Sequence, residues 1–219
     1  VVLEEEAVAT LLMMLAYMGL GARAVQEGRS FMCERFGERI MSECVTIYDD
    51  ALNTEGLPQP FDYEGVPKQK VVCIESGVAK AVVYDTYTAA REGKQSTGHA
   101  LPQPNPWGPY PTNLFMSTGE LTLEEMISTT ERGLLITRFH YVNPVHPKRT
   151  VITGMTRDGT FLIEDGRVTH GVRNLRFTQS ILDALSCVDA ISRTRKLCDS
   201  TVAPAVKVNQ FAFTGVTEF

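Results

Sequence analysis

The sequence predicts an α+β fold, rich in β-structure, in which several helices pack against one large, mostly antiparallel sheet. Three observations carry that prediction. Runs rich in β-branched and aromatic residues outnumber the helical ones. Several of these runs are separated by two-residue turn signals, Ser76-Gly77, Asp158-Gly159 and Asp165-Gly166, where Gly supplies the positive φ of a tight hairpin. Glu4 to Met18, by contrast, places Ala7, Val8, Leu11, Leu12, Leu15 and Met18 at helical spacing behind three acidic residues that suit a helix N-terminus. The chain has 219 residues, 43% of them apolar, which is ample for a core. No linker composition divides it, so a single domain over residues 1–219 is expected.

Taken in order, Val1-Val2-Leu3 reads as the end of a strand leading into that first helix. Met13, Met14 and Tyr17 put apolar groups on its remaining side, so it is either buried on most faces or meets a partner. Ser30 to Ile40 is weakly helical or loop, Val45 to Tyr48 a short strand, and Ala51 to Pro60 a surface loop marked by Asn, Gly and two Pro. A hairpin follows, with Val71 to Ile74 and Val78 to Val83 as its strands. Tyr84 to Arg91 is helix-compatible and stops at Gly93, and Ser96 to His99 is a loop. Leu101 to Thr112 carries five Pro residues and is irregular. Asn113 to Met116 is a strand, Thr122 and Glu125 form a capping box for a helix through Glu131, and Leu134 to Val142 alternates as a strand. A three-stranded meander is predicted from Arg149 to Phe177, then a helix from Ser180 to Ile191 and a final strand from Ala205 to Phe213 that Pro204 begins.

Composition excludes several classes of function. A net charge of −5 and a pI near 5.4, with no Lys/Arg cluster, argue against direct nucleic-acid binding. Lys68 and Lys70, like Arg193, Arg195 and Lys196, read as solvated faces. The five cysteines are scattered without C-x-x-C spacing, which suits reduced thiols in the cytoplasm rather than a disulfide framework or a closed zinc site. The apolar run Ala7 to Leu20 is too short to span a bilayer and follows acidic residues, so neither a membrane span nor a signal peptide is expected. No G-x-S-x-G elbow occurs, and His140, His146 and His170 are isolated from other candidate ligands. A chain opening on Val-Val-Leu, without Met, reads as part of a longer one.

The densest run of signals lies between Phe61 and Ala100. There the turn Phe61-Asp62-Tyr63-Glu64-Gly65-Val66-Pro67, the hairpin Ile74-Glu75-Ser76-Gly77-Val78, the segment Asp85 to Ala89 and the loop Ser96-Thr97-Gly98-His99-Ala100 follow one another. In this order they resemble the TldD/PmbA family, metallopeptidase-like proteins also described as modulators of DNA gyrase. The resemblance covers essentially the whole chain as the C-terminal half of a family member. It implies a zinc site on the first helix in the active branch, through an H-E-x-x-x-H motif whose Glu acts as general base. Here Glu5 and Thr10 stand at the two His positions and Glu6 at the Glu.

Both imidazoles are therefore missing, and the chain looks like the PmbA branch, also called TldE. The third ligand of the active branch is a Cys near the C-terminus, but Cys198 lies in Leu197-Cys198-Asp199-Ser200, outside that branch's Gly-rich setting, and the role is not carried over. The resemblance thus implies no catalytic residue and no metal or other cofactor in this chain. It implies a heterodimer with a TldD-like subunit that bears the zinc, or else a homodimer, acting on unfolded peptides. Gly98, His99, Trp107, Tyr110 and Asn113 are the candidates for lining a peptide groove. The rival expectations are a protein-interaction module that modulates DNA gyrase and an autonomous hydrolase with a site of another kind.

Overall fold

The strand that opens the chain lies in the middle of the sheet, because its partners come from far along the sequence. A computed structural model describes residues 1–216. The elements run β1 (Val2–Leu3), α1 (Glu5–Leu15), a π-helical turn (Ala16–Leu20), α2 (Ala22–Gln26), β2 (Ile47–Asp49), β3 (Val71–Glu75) and β4 (Val78–Ala79). They continue with α3 (Thr86–Arg91), β5 (Leu114–Met116), α4 (Leu123–Ser128), β6 (Arg132–His146), a 3-10 turn (Pro147–Arg149), β7 (Val151–Glu164), β8 (Arg167–Gly171) and β9 (Leu175–Ser180). Last come α5 (Ile181–Ser186), β10 (Val188–Cys198), β11 (Thr201–Val208) and β12 (Phe213–Val216). The strands join into one mixed sheet in the order β12-β9-β7-β6-β1-β11-β5-β2-β3-β4, with β10 on β11 and β8 on β7. Only the β1–β6 and β11–β5 pairs are parallel among the described strands. The α+β, β-rich fold read from the sequence is the one observed.

The sheet forks at β11. One edge pairs with β10 along its length, while on the other Val206 and Lys207 meet β1 and Thr201 and Val202 meet β5. Helix α1 packs on β6, β10 and β11. Its residues Leu11, Leu12 and Leu15 are buried, each contributing about 1.5–3 kcal/mol of burial free energy. Met13 and Met14 are only half-buried. Of the two readings of this helix, the enclosed one describes most of its surface, and the polar face left over carries Glu5, Glu6 and Thr10.

Several elements differ from the sequence reading, each for a physical reason. Asp158-Gly159 does not turn the chain. Asp158 adopts φ 60° inside β7, and the register against β6 slips between Ile136 and Arg138, so the pair forms a β-bulge. A bulge and a tight turn ask for the same left-handed residue beside Gly, and the sequence does not distinguish them. Asp165-Gly166 does turn, with φ 47° and 74°. The meander is therefore one long β7 whose two halves pair separately with β8 and β9.

The helix expected to reach Ile191 stops at Ser186, and Val188 to Cys198 is a strand. Leu182, Leu185 and Val188 keep a three-residue spacing across that boundary, so periodicity misses it. Pro204 stands inside β11 rather than at its start. Its missing N–H falls between the β1 and β5 pairings, and opposite it β10 bulges between Ile191 and Arg195. There the Ser192 hydroxyl accepts from the Ala205 N–H at 2.8 Å in place of a backbone carbonyl. Smaller differences are β4, which ends at Ala79 rather than Val83, and α4, which ends at Ser128 although its Thr122–Glu125 capping box is present.

The Ser76-Gly77 turn yields the first prediction. Gly77 has φ 76°, and a Cβ there would overlap the carbonyl oxygens of Met41 and Ser42, whereas Gly65 has the same φ with open space around it. Gly77→Ala is expected to cost more than the roughly 1–3 kcal/mol of backbone strain alone, and Gly65→Ala to stay within that range. Urea unfolding of both variants checks this; equal losses would refute the close approach as the reason for Gly77.

Candidate functional site

The first part of the site is the polar face of α1. Glu5 and Glu6 occupy its first turn, and the Thr10 hydroxyl donates to the Glu6 carbonyl at 2.9 Å. The β10–β11 hairpin covers this face, bringing the Lys196 ammonium to 3.4 Å from the Glu6 carboxylate. Cys198 lies close enough that both glutamates act electrostatically on its thiol, which burial pushes above its usual range. The fold therefore brings Glu5, Glu6 and Cys198 to one place although 190 residues separate Glu6 from Lys196.

As a zinc site, this donor set does not fit. It contains no imidazole, its hydroxyl donates to a helix carbonyl, and the Lys196 ammonium stands 3.4 Å from the Glu6 carboxylate. Among the described residues no group of three or more His, Cys, Asp or Glu side chains is arranged to hold a metal ion.

The second part is a buried polar network. Asp49, at the end of β2, has no exposed side-chain surface, and neither has His99. One Asp49 oxygen contacts His99 Nε2 at 3.0 Å and the other accepts the Asn113 N–H at 2.8 Å. Asn113 in turn donates to the carbonyls of Asp50 and Asn53, and its own side-chain oxygen accepts the Leu57 N–H at 2.7 Å. Gly98 has φ 73°, and a Cβ there would come within 2.6 Å of the Pro67 carbonyl oxygen, so this loop crosses the preceding turn at a distance only Gly allows.

Asp62 ties the same parts together, accepting from Glu64, Val66 and Ala100. Lys68, read from the sequence as solvated, is buried and donates to the Thr112 hydroxyl. Burial lowers its pKa, against the opposing charges of Asp49 and Asp62. Neither Asp49, in a short Asp-Asp, nor Lys68, beside Pro67, carries a periodic sign of burial in the sequence.

His99 Nδ1 lies 2.9 Å from the Thr97 hydroxyl, so carboxylate, imidazole and hydroxyl stand in the order found in hydrolase triads. Here the hydroxyl is spent: Thr97 Oγ accepts the Tyr84 N–H at 2.7 Å and lies 3.1 Å from the Tyr84 carbonyl. The arrangement pins the loop to the start of α3.

The third part is a cleft. Trp107 and Tyr110 line an apolar cleft of 380 Å³ with Tyr17, Met18, Pro109 and Pro147. Tyr17 and Trp107 are 50% and 66% exposed, their rings tilted with centroids 6.0 Å apart. Tyr110 donates its N–H to the His99 carbonyl at 3.1 Å, so the buried network sets the position of the cleft wall. Of the five groove candidates, Gly98, His99 and Asn113 thus sit together in the interior, while exposed Trp107 and half-buried Tyr110 line the cleft. Tyr17, at the π-helical turn, reads from the sequence only as an apolar residue of a helix that is enclosed or meets a partner, and the structure places it in the cleft.

These features define the class first: a β-rich α+β domain whose long central helix turns a polar face toward the last hairpin of one mixed sheet. Residues 1–215 match the PmbA/TldA metallopeptidase C-terminal domain, and the chain belongs to that family. It is 29% identical over 179 residues to a metalloprotease of Methanocaldococcus jannaschii, covering 80% of this chain and 39% of that one. With the metalloprotease PmbA of Escherichia coli O157:H7 it shares 24% identity, over 84% of this chain and 40% of that one. A solved structure from Thermotoga maritima, described as a modulator of a DNA gyrase, is similar with a TM-score of 0.89 at 27% identity, over 97% of this chain and 49% of its own. TldE of Thermococcus kodakarensis has the same fold, with a TM-score of 0.87 at 24% identity, over 98% of this chain and 49% of its own. The chain thus spans about half the length of these relatives or less.

Removing His99 tests the network. His99→Ala would leave the Asp49 carboxylate buried with one partner fewer, a loss of about 3–5 kcal/mol, while exposed His170→Ala should stay within about 0.5 kcal/mol. Chemical denaturation of the two variants compares them, and a His99→Ala protein as stable as wild type would contradict the structural role.

Proposed function

We propose that this chain is a non-catalytic subunit of the PmbA/TldE type, working in the cytoplasm with a TldD-like, zinc-bearing partner on unfolded peptides. The observation that supports it best is the polar face of α1, where the positions the family uses for metal and general base hold Glu5, Glu6 and Thr10. Glu6 is paired with Lys196. On this reading the partner supplies the metal-bound water and the base. This chain contributes rigid walls: the Asp49–His99–Asn113 network fixes the 96–113 loop, and Trp107 and Tyr110 present apolar surface to a peptide. Among the described residues no helix is long and apolar enough to cross a membrane.

Elemental analysis tests the subunit reading. The chain alone should retain far less than one zinc per molecule after dialysis against a weak chelator, and its co-purified complex with a TldD-like relative should carry zinc. Installing Glu5→His and Thr10→His together should raise the chain's own zinc affinity by about tenfold or more, with Cys198 and Glu6 at hand. Stoichiometric zinc in the unaltered chain would refute the reading. The Thermotoga relative's description favours a second reading, binding to DNA gyrase itself, which a pull-down with purified gyrase would reveal.

A further inference from the structure

Two clefts meet at the turn Pro147–Arg149. On one side Pro147 closes the apolar cleft of Tyr17, Trp107 and Tyr110. On the other, Lys148 and Arg149 line a second cleft of 640 Å³ together with Arg35 and Arg39, and Asp183 is the acidic residue among its walls. Arg35 and Arg39 have exposed glutamates beside them, Glu38 at 3.4 Å and Glu43 at 3.9 Å. Lys148 and Arg149 lie within ion-pair distance of no carboxylate among the described residues, and both are exposed. With Arg35 and Arg39 each beside a glutamate, Lys148 and Arg149 are the cations of this cleft left to pair with an incoming anion.

We propose that the 147–149 turn is the centre of a binding site for an extended acidic peptide: one bulky apolar side chain enters the Tyr17–Trp107–Tyr110 cleft and the flanking carboxylates meet Lys148, Arg149, Arg35 and Arg39. The choice of a peptide rests on the peptide-processing reading above. The geometry favours it as well. The Tyr17 and Trp107 rings are tilted by 50° and so form no flat slot for a nucleotide base. The apolar cleft, at 380 Å³, is of a size that takes small apolar groups. The two clefts share the 147–149 turn as a wall, and an extended peptide advances about 3.3 Å per residue, so glutamates one and two residues from the apolar anchor lie about 3–7 Å along it. The cleft supplies position and the cations supply selection, since charge complementarity acts mainly on specificity and encounter.

Trp107 is the sole tryptophan of the sequence, so its emission reports occupancy of the apolar cleft directly. The probes are a phenylalanine flanked on each side by two glutamates, the same peptide with lysines, the same with serine at its centre, and ATP. The acidic phenylalanine peptide should shift the emission saturably, and the lysine and serine versions should bind about tenfold more weakly or worse. Lys148→Glu with Arg149→Glu, both surface changes whose folding circular dichroism verifies, should weaken the acidic peptide by a similar factor. Trp107→Ala should abolish binding of the same peptide carrying fluorescein, followed by anisotropy.

No emission change with any peptide, an unaltered affinity after the charge reversal, or saturation by ATP without saturation by the peptide would each overturn the proposal. The titration needs neither partner nor zinc. Failure of the subunit reading appears in the zinc and co-purification results, and failure of this one in the peptide titration.

Discussion

The structure depends on one buried carboxylate. Asp49 ends an apolar strand in a place without solvent, where an unpaired charge would be very costly, and everything around it is arranged to meet that charge. His99 comes from a loop fifty residues on and the Asn113 N–H from the start of β5, so satisfying Asp49 fixes three remote segments at once. Lys68 adds a buried amine nearby, held by Thr112; burial lowers its pKa, and the charges of Asp49 and Asp62 oppose that shift. Between Ala51 and Asn113 much of the chain forms neither helix nor strand, and an irregular segment of that length keeps one conformation only if such contacts define it.

The consequence for function is a division between interior and surface. Gly98, His99 and Asn113 are spent on shape, while Trp107 and Tyr110, carried by the same loop, are left facing a cleft. The hydrogen bond from Tyr110 to the His99 carbonyl joins the two halves. A similar economy holds at the polar face of α1. The fork of the sheet at β11 brings the last hairpin over the first helix, so a reactive centre could be built there from both ends of the domain. In this chain that place holds the exposed Lys196–Glu6 pair.

How much of this was legible in the sequence follows from which interactions are local. The Thr122–Glu125 capping box and the Ser76-Gly77 and Asp165-Gly166 turns are written in a few neighbouring residues and stand as read. The apolar periodicity of Glu5–Leu15 likewise identified the enclosed helix. What the sequence did not reveal depends on distant partners. Val188 to Cys198 becomes a strand because β11 is there to pair with it, and Asp158 becomes a bulge because β6 continues past it. In the site, family motifs pointed to His99 and Gly98, but the burial that turns His99 into a structural group comes from Asp49, which no local pattern marks. Tyr17 and Trp107 are 90 residues apart, and their cleft exists because the proline-rich 101–112 loop packs beside the π-helical turn.

The central claim is that the polar face of α1 is not a metal site and that any zinc belongs to a partner. Anomalous X-ray scattering at the zinc edge, from crystals of this chain bound to a TldD-like relative, tests it most directly. The account predicts a peak in the partner and none beside Glu5, Thr10 and Cys198; a peak coordinated by those three residues would contradict it.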